Sequence, residues 1–546
     1  MLVNHTKSFT VVLLIAVSGC TIDLGSVDSA LRGDAGCVAH TSLGVIVGAR
    51  APQACTFFGI PYAAPPTGAR RFRPPEPVAP WAASLVATER SRVCPQYRTP
   101  PEEYPDAREV FSDEDCLYLD VWTPRVDRAR RPVMVFVHGG AGRIGTANEG
   151  LYEGTELATR GDVVVVTMNY RLGMLGWTEL GGLDPSYAGS GNNGLRDQLA
   201  ALRWVQDHIR DLGGDPDNVT VFGQSLGATS ISAMLATEHP ERLMRRAILE
   251  SGNGYLVHPR ALAEGFAAML LGNAGITRMA DLQAMSTPQL LAAQELSLGA
   301  DAGLVPAIAF APYIDGSLVL GPVIDRVERG AARDIDLLLG TARDEMRFFG
   351  LVNPALFDIT QAQYTPLFPP TLAAARDRIF AAYAAAPHPG TTESDAILAM
   401  LTDQGLRVPA SRMAEAQDRW RPTYLYEFDW FADPFYGAIH SSDLPFVFGT
   451  LHLDWVPGGA AALTADRPQL VELAHAMMDA WTSFAHCGDP RWPAYRAPAR
   501  RTMIFDLQRR VVGHPRDGER ALWNDYGFPY LELDLGPARG SAERRR

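Results

Sequence analysis

Residues 218–236, NVTVFGQSLGATSISAMLA, decide the fold of this chain. The first third is a short β-branched, apolar run, and the rest is rich in small and apolar residues at helical spacing, so a strand followed by a helix is predicted. The pentapeptide GQSLG lies at the junction. Such a turn is tight and strained, and Gly223 and Gly227 support it because a side chain at either position would clash. Ser225, which the turn exposes, is the candidate nucleophile.

The alternative for the pentapeptide alone is a chance occurrence, because the chain contains 50 glycines. The flanking strand and helix patterns argue against chance. Strand and helix patterns also alternate from residue 132 to residue 251, which predicts a parallel sheet covered by helices.

A second motif precedes the serine. Residues 132–137 (PVMVFV) read as a buried strand that runs into HGGAG at 138–142. Consecutive small residues leave backbone N–H groups unobstructed, and such a nest at a strand end binds a developing oxyanion. Gly140 and Ala141 are the predicted donors, with the N–H of Leu226 as the third. The alternative is a plain glycine turn.

Composition bounds the partners. The 546 residues carry 62 acidic and 49 basic side chains, a formal net charge of -13, which disfavours nucleic acid and anionic membrane surfaces. No C-x-x-C or H-x-x-x-H spacing occurs, so no metal site is expected.

No internal repeat or separate second domain is evident, and one domain is predicted over residues 37–535, with a disordered tail at 536–546.

The N-terminus reads as an export signal. Lys7 precedes a largely apolar run of nine residues at 9–17, which is too short to span a membrane. The sequence VSGC at 17–20 resembles a bacterial lipobox, so residues 1–19 are predicted to be a lipoprotein leader, Cys20 the lipidated residue, and 20–36 a flexible tether. The alternative is an ordinary secretory signal with an incidental cysteine. Both interpretations export the protein, anchored to a bacterial envelope or else secreted or periplasmic.

The remaining cysteines fit an exported protein. They pair most simply as neighbours, Cys37 with Cys55 and Cys94 with Cys116, and this leaves Cys487 over. Each bridge would restrict the unfolded chain.

Seven ordered motifs carry a resemblance to a known family. They are FFGIPYAAPP (57–66), EDCLYLDVWTP (114–124), HGGAGRIG (138–145), VVVVTMNYRLGMLGW (163–177), GNNGLRDQLAALRWV (191–205), GGDPDNVTVFGQSLGA (213–228) and RRAILESG (245–252). Their order resembles that of the type-B carboxylesterases, the cholinesterase-like branch of the α/β-hydrolases. The resemblance implies an α/β-hydrolase fold, with a central, mostly parallel, twisted sheet flanked by helices and helical insertions over an active-site gorge. It also implies serine esterase activity without a cofactor.

The resemblance completes a catalytic triad in the order nucleophile, acid, histidine. The segment GTARDE at 340–345 resembles the family segment in which the final glutamate is the acid, so Glu345 is chosen over Asp344. His440, in FYGAIHSSDLPFVFG at 435–449, matches the catalytic histidine. Ser251 matches a family serine near the triad and is expected to support the acid by a hydrogen bond.

Two departures bear on the substrate. Gln224 stands where cholinesterases have glutamate, and the segment between Cys94 and Cys116 contains no tryptophan. A choline head would lack a carboxylate and a π face, so choline esters are not expected as preferred substrates. The predicted function is hydrolysis of small-molecule carboxylic esters through an acyl-enzyme. The alternatives are a narrower hydrolase (lactonase, thioesterase or polyester esterase) and a non-catalytic binding or adhesion domain.

Overall fold

The strand and helix pattern around Ser225 continues on both sides of it along the chain. A computed structural model describes residues 36–96, 112–298, 309–368, 370–386 and 389–524. The predicted leader at 1–19, Cys20 with nearly all of its tether, and the predicted tail at 536–546 lie outside the described residues. These N- and C-terminal assignments therefore stay predictions.

The strands and helices have the following bounds. The strands are β1 (Val38–Thr41), β2 (Gly44–Val47), β3 (Ala49–Arg50), β4 (Cys55–Pro61), β5 (Leu85–Val86), β6 (Tyr118–Thr123), β7 (Arg131–Val137), β8 (Val164–Met168), β9 (Gly214–Gln224), β10 (Arg246–Glu250), β11 (Asp336–Ala342), β12 (Thr423–Phe428), β13 (Arg501–Phe505) and β14 (Arg510–Gly513). The helices are α1 (Thr155–Gly161), α2 (Gly173–Trp177), α3 (Asn193–His208), α4 (Leu226–Leu235), α5 (Arg260–Asn273), α6 (Met279–Ala284), α7 (Thr287–Leu298), α8 (Val323–Glu328), α9 (Arg347–Val352), α10 (Gln361–Tyr364), α11 (Arg376–Ala385), α12 (Glu393–Thr402), α13 (Val408–Gln417), α14 (Leu444–Val447), α15 (Gly459–Cys487) and α16 (Asp517–Leu522).

Most of these strands belong to one large sheet. Within the described ranges its order is β14-β13-β12-β11-β10-β9-β7-β8-β6-β4-β3, beside a small sheet of β1, β2 and β5. The neighbours from β13 to β8 pair in parallel, and the remaining edge strands pair antiparallel. The mostly parallel sheet flanked by helices confirms the predicted fold class. Because parallel strands end at the same edge, the loops after β7, β9, β10, β11 and β12 meet there.

The core lies on both faces of this sheet. In β7, Val133, Val135 and Val137 belong to one buried cluster, together with residues of α3, α4 and α13. Met134 and Phe136 belong to a second cluster, with residues of α1, α14 and α15. A strand buried on both faces needs such a continuous apolar run, and this explains why PVMVFV shows no alternation.

The helical insertions that the resemblance implies correspond to α5–α7 and to α11–α13. The long C-terminal helix α15 bends at Asp466, two residues before Pro468. Proline restricts the residue before it and removes a backbone donor, so a bend near this position is expected.

Two disulfides lie in the N-terminal third, Cys37–Cys55 and Cys94–Cys116. They are the pairs that the order of the cysteines predicts. Cys487 is exposed and forms no disulfide.

Candidate active site

The turn that carries Ser225 is strained as predicted from its glycines. Ser225 has φ 58° and ψ -123°, immediately before α4. A Cβ at Gly223 would lie 2.6 Å from the carbonyl oxygen of Val137, and one at Gly227 would lie 1.9 Å from the same atom. The backbones of β7 and α4 therefore approach each other so closely that only glycine fits at these two positions. The Ser225 N–H donates to Glu250 O across the sheet at 2.8 Å, which fixes the turn.

The HGGAG segment lies beside this turn, at the end of β7. Gly140 and Ala141 have positive φ values of 93° and 55°, so successive N–H groups form a concave nest. The loop closes on itself because Arg143 and Ile144 donate their N–H groups to Gly140 O. Among the described residues, no backbone hydrogen bond uses the N–H of Gly140, Ala141 or Leu226. The three predicted oxyanion donors thus meet at one edge of the sheet.

Gln96 fastens the far end of this loop. Its side-chain amide donates to Gly145 O and accepts from Gly145 N, both at 3.0 Å. Gln96 lies two residues after Cys94. The Cys94–Cys116 disulfide therefore fixes the segment from which Gln96 binds the HGGAG loop at Gly145. Sequence reasoning did not identify Gln96, because nothing near it in the chain indicates its partner.

His138 has a structural place in the loop. Its ring stacks on Tyr170 at a centroid distance of 4.3 Å, and its Nδ1 lies 2.9 Å from Gly139 O. Tyr170 in turn donates its hydroxyl to His138 O at 2.7 Å. Burial lowers the pKa of His138 to about 4, so the ring is neutral at pH 7. This agrees with a role in loop structure and not in proton transfer.

Glu345 and His440 form a hydrogen-bonded pair at the same edge. His440 Nδ1 donates to Glu345 Oε2 at 2.5 Å, and Ala342 N donates to Glu345 Oε1 at 2.8 Å. Both carboxylate oxygens are thereby used, and Glu345 is fully buried. The pairing fixes the tautomer of the neutral imidazole: Nδ1 carries the hydrogen and Nε2 presents a lone pair.

Asp344, the other acidic residue of GTARDE, faces elsewhere. Its Oδ2 accepts from the N–H of Ala438 and forms an ion pair with Arg343. It therefore shapes the loop that carries His440 without reaching the imidazole. The choice of Glu345 over Asp344 agrees with this geometry.

The Nε2 atom of His440 has an unexpected partner. Gln224 Nε2 lies 3.1 Å from it, at hydrogen-bond distance, and Gln224 is almost fully buried. Within the described part of the chain, no hydrogen bond joins Ser225 Oγ to His440. The sequence marked Gln224 as a departure from the cholinesterase pattern, but gave no sign of this contact.

Two further carboxylates lie behind the histidine, and the sequence had not singled them out. Trp481 Nε1 donates to Glu250 Oε1 at 2.6 Å, and Tyr426 OH donates to Asp443 Oδ2 at 2.8 Å. Burial, together with the Glu345 charge, raises the pKa of Asp443 to about 6. Burial and the Asp443 charge raise the pKa of Glu250 well above its ordinary value. Polar residues at strand ends look like solvated loop residues in a sequence, so their burial was not predicted.

Ser251 follows β10 and shares the edge with the triad residues. Its Oγ is buried and has no hydrogen-bond partner among the described residues, so the expected bond to Glu345 is absent. Glu345 instead takes its second hydrogen bond from the backbone of Ala342. Ser251 does contribute its N–H, which donates to Gly340 O at 2.9 Å and joins β10 to β11.

Aromatic rings surround the imidazole on the side of α9. The ring centroids of Phe348 and Phe349 lie 5.8 Å and 5.7 Å from that of His440. Trp455 contacts Phe348 edge-on at 6.4 Å. The surroundings of the His440 ring on this side are therefore apolar.

Gly142 also has close neighbours. Its φ is 67°, and a Cβ there would lie 2.6 Å from Phe310 O and 2.8 Å from Phe310 Cβ. Phe310 thus occupies the space next to Gly142.

A serine on a strained turn, a nest of backbone donors and a carboxylate-bound histidine meet here at the carboxyl edge of a parallel sheet, which is where α/β enzymes place their sites. The fold and this edge define a serine-dependent α/β-hydrolase. A profile of the Carboxylesterase family matches residues 36–523, and the chain belongs to that family. It is a carboxylic-ester hydrolase.

Individual relatives agree. The chain is 37% identical to the para-nitrobenzyl esterase of Bacillus subtilis (strain 168) over 484 residues, which cover 85% of this chain and 93% of that protein. A crystal structure of the Geobacillus stearothermophilus carboxylesterase at pH 6.2 superposes with a TM-score of 0.79 at 34% identity, covering 89% of this chain and 99% of that one.

The relatives also include neuroligins. Mouse neuroligin-2 is 31% identical over 550 residues, which cover 88% of this chain and 62% of the neuroligin. The identity to the esterase is higher, and it extends over nearly the whole of that protein.

Neither a metal cluster nor a membrane span was found in the part of the chain that the structure describes. No group of three or more histidine, cysteine, aspartate or glutamate side chains is placed there to hold a metal ion. No helix there combines the length and the apolar character that crossing a membrane requires.

Proposed function

We propose that this carboxylesterase cleaves small-molecule esters with Ser225 as nucleophile, His440 as general base and Glu345 as the acid that orients it. The hydrogen bond from His440 Nδ1 to Glu345 Oε2, at the edge of the sheet that also carries the half-buried Ser225, carries this proposal. A serine hydroxyl is a weak nucleophile at neutral pH, so a base must accept its proton as it attacks.

The proposed reaction has two halves. Ser225 Oγ attacks the ester carbonyl while its proton passes to His440 Nε2, and the resulting oxyanion accepts hydrogen bonds from the N–H groups of Gly140, Ala141 and Leu226. The C–O bond to the alcohol then breaks, and His440 returns the proton to the departing oxygen. Water, deprotonated by His440, attacks the acyl-enzyme in the same way and releases the acid and Ser225. No cofactor enters either half.

The surroundings of His440 bear on the substrate. Phe348 and Phe349 present apolar surface beside the base, and Gln224 supplies no negative charge. Uncharged esters with apolar groups are therefore the proposed substrates, and choline esters are not. Since one relative is named for para-nitrobenzyl esters, 4-nitrobenzyl esters belong in the substrate panel.

We further propose that the protein is exported and anchored through a lipid on Cys20. The two disulfides support export, because such bonds persist in oxidising compartments. The test is expression of the full chain and of Cys20→Ala in a bacterium, followed by fractionation. Membrane association of the wild type that is lost in Cys20→Ala is the expected result. Equal partitioning of both proteins contradicts the anchor.

The catalytic assignment is tested with 4-nitrophenyl esters from acetate to decanoate, comparing the wild type with Ser225→Ala. The matched control is Ser232→Ala, in the helix α4 that begins directly after Ser225. The Ser232 hydroxyl makes a long, weak contact with Met413 Sδ, at 4.0 Å. We expect Ser225→Ala to lose at least about a thousandfold in kcat while the control keeps its activity. The chain length with the highest kcat/KM then measures the acyl site.

The same panel separates the alternatives. A folded wild type that is inert on every simple ester but active on lactones, thioesters or a polyester indicates a narrower hydrolase. A wild type that is inert on all of these substrates would favour the non-catalytic binding or adhesion role.

A further inference from the structure

The base has a single lone pair for two groups. With Nδ1–H directed at Glu345, the neutral imidazole of His440 can accept one hydrogen bond, at Nε2. Ser225 must donate to this lone pair during attack, yet in the structure the donor at this atom is the side-chain amide of Gln224, at 3.1 Å. Gln224 is therefore part of the immediate surroundings of the proton acceptor.

The amide is held in place by close packing. Gln224 is only 3% exposed. It ends β9, and a Cβ at Gly139 in the oxyanion loop would lie 3.0 Å from Gln224 Oε1 and 2.9 Å from Gln224 O. Gly139 thus leaves room for the Gln224 side chain between the loop and His440.

The other charges around His440 are negative. Glu345 binds the ring directly, and the Asp443 carboxylate interacts electrostatically with both Glu345 and His440. Glu250 adds little negative charge, because burial and the Asp443 charge raise its pKa well above the ordinary value. Asp344 is paired with Arg343. The rings of Phe348 and Phe349 bring no charge from α9. Each ionised carboxylate favours the imidazolium form, which cannot accept the serine proton.

We propose that Gln224 is a positioning residue that donates to His440 Nε2 in the free enzyme and gives up this lone pair to Ser225 during attack. It thereby keeps the base unprotonated, so that the enzyme works at lower pH than the ionised carboxylates around the base would otherwise allow. This inference rests on the proposed function of the triad. An N–H donor at Nε2 stabilises the neutral ring and opposes its protonation. A carboxylate at position 224 would do the opposite, because it can only accept a hydrogen bond from the imidazolium.

The test compares the wild type with Gln224→Met, which keeps the length of the side chain but removes the donor, and Gln224→Glu, which adds a charge. The probe is 4-nitrophenyl butyrate, and kcat/KM is measured between about pH 5 and pH 9, because its profile reports the ionisation of the free enzyme. The rate of inactivation by diethyl 4-nitrophenyl phosphate gives a second profile for the reactivity of Ser225 alone.

Among the three proteins, we expect the wild type to have the acid limb of its kcat/KM profile at the lowest pH. Loss of one hydrogen bond should move it up by about half a pH unit in Gln224→Met. A nearby negative charge should move it up by about one unit or more in Gln224→Glu. A folded fraction that is the same at every pH lowers the plateau and leaves the limb in place. Circular dichroism of each protein across the pH range checks that the folded fraction is constant.

The inference is overturned if the acid limb of kcat/KM lies at the same pH in all three proteins. It is also overturned if the acid limb of Gln224→Met lies at or below the pH of the wild-type limb. A side chain that only fills space changes stability or the plateau rate and leaves the limb in place. Failure of the proposed function looks different: the wild type is then inert towards both probes, or Ser225→Ala reacts as fast as the wild type.

Discussion

The carboxylate of Glu345 meets the imidazole of His440 at 2.5 Å, although the two residues are 95 positions apart in the chain. Strands β11 and β12 are neighbours in the sheet and pair in parallel, so the loops that follow them lie side by side. Glu345 comes three residues after β11, and His440 stands in the longer loop after β12. The Glu345–His440 hydrogen bond is thus a consequence of strand order.

Glu345→Gln should lower kcat by about a thousandfold to ten-thousandfold, because an amide no longer holds Nδ1–H and favours the wrong tautomer. The measurement is kcat on 4-nitrophenyl butyrate. Asp344→Asn is the matched control, since Asp344 contacts Ala438 and Arg343 but not the imidazole. It should lose no more than about tenfold. A larger loss in Asp344→Asn than in Glu345→Gln would reverse the assignment of the acid.

Asp443 should make the free energy of unfolding depend on pH. Its pKa is about 6 in the folded protein, against 3.8 as the ordinary value, so between these pH values the folded state holds a proton that the unfolded state has lost. Stability therefore falls as the pH rises through this window, and the loss is complete above pH 6. It amounts to roughly 2 to 3 kcal/mol.

Urea unfolding of the wild type and Asp443→Asn, below and above this window, measures the effect. The variant should gain stability relative to the wild type at the higher pH and little at the lower one. The exposed Asp207 serves as the control position. A difference between the wild type and Asp443→Asn that is the same at both pH values contradicts the prediction.

The two disulfides should differ in their effect on activity. Replacing either pair with serines should lower the free energy of unfolding by about 3 kcal/mol. Only loss of Cys94–Cys116 should also lower kcat, by a few fold, because Gln96 next to it holds the oxyanion loop at Gly145. Thermal unfolding and kcat of both double variants are the measurements. Equal kcat values in the two variants would show that the Cys94–Cys116 disulfide does not affect the oxyanion loop.

Gly142→Ala should lose activity on all acyl chain lengths. A Cβ at this position meets Phe310 O at 2.6 Å with φ at 67°, so the loop backbone must shift, and the neighbouring Ala141 donor moves with it. We expect at least a tenfold fall in kcat, on acetate as on decanoate. Gly182→Ala is the control, because a Cβ there has no heavy atom within 4 Å. Activity kept on acetate and lost only on long esters would indicate a steric effect on the acyl site instead.

The sequence predicted those parts of the site that local patterns determine. A strained G-x-S-x-G turn, a run of small residues and a strand–helix alternation each lie within a short stretch, so Ser225 and the donors Gly140 and Ala141 could be assigned directly. Glu345 and His440 needed the family resemblance, because a charged turn or a lone histidine has no distinctive pattern.

What the sequence did not reveal are contacts made across the sheet. Gln224 and His440 are 216 positions apart, and only the packing of the loop after β12 over the end of β9 brings them together. The burial of Glu250 and Asp443 depends on α15 and on Tyr426, which cover them from one side. The hydrogen bond expected from Ser251 failed because the amide of Ala342, in the backbone of β11, binds Glu345.

The order of the sheet has a consequence for engineering. The proposed reacting groups come from loops that follow β7, β9, β11 and β12, whereas α5–α7 and α11–α12 lie in long segments between those strands. Exchanging these segments with those of another carboxylesterase would alter what surrounds the ester while leaving the strand ends in place. Substrate range and chemistry can therefore be redesigned separately in this chain, by transplanting helices in one case and by single substitutions in the other.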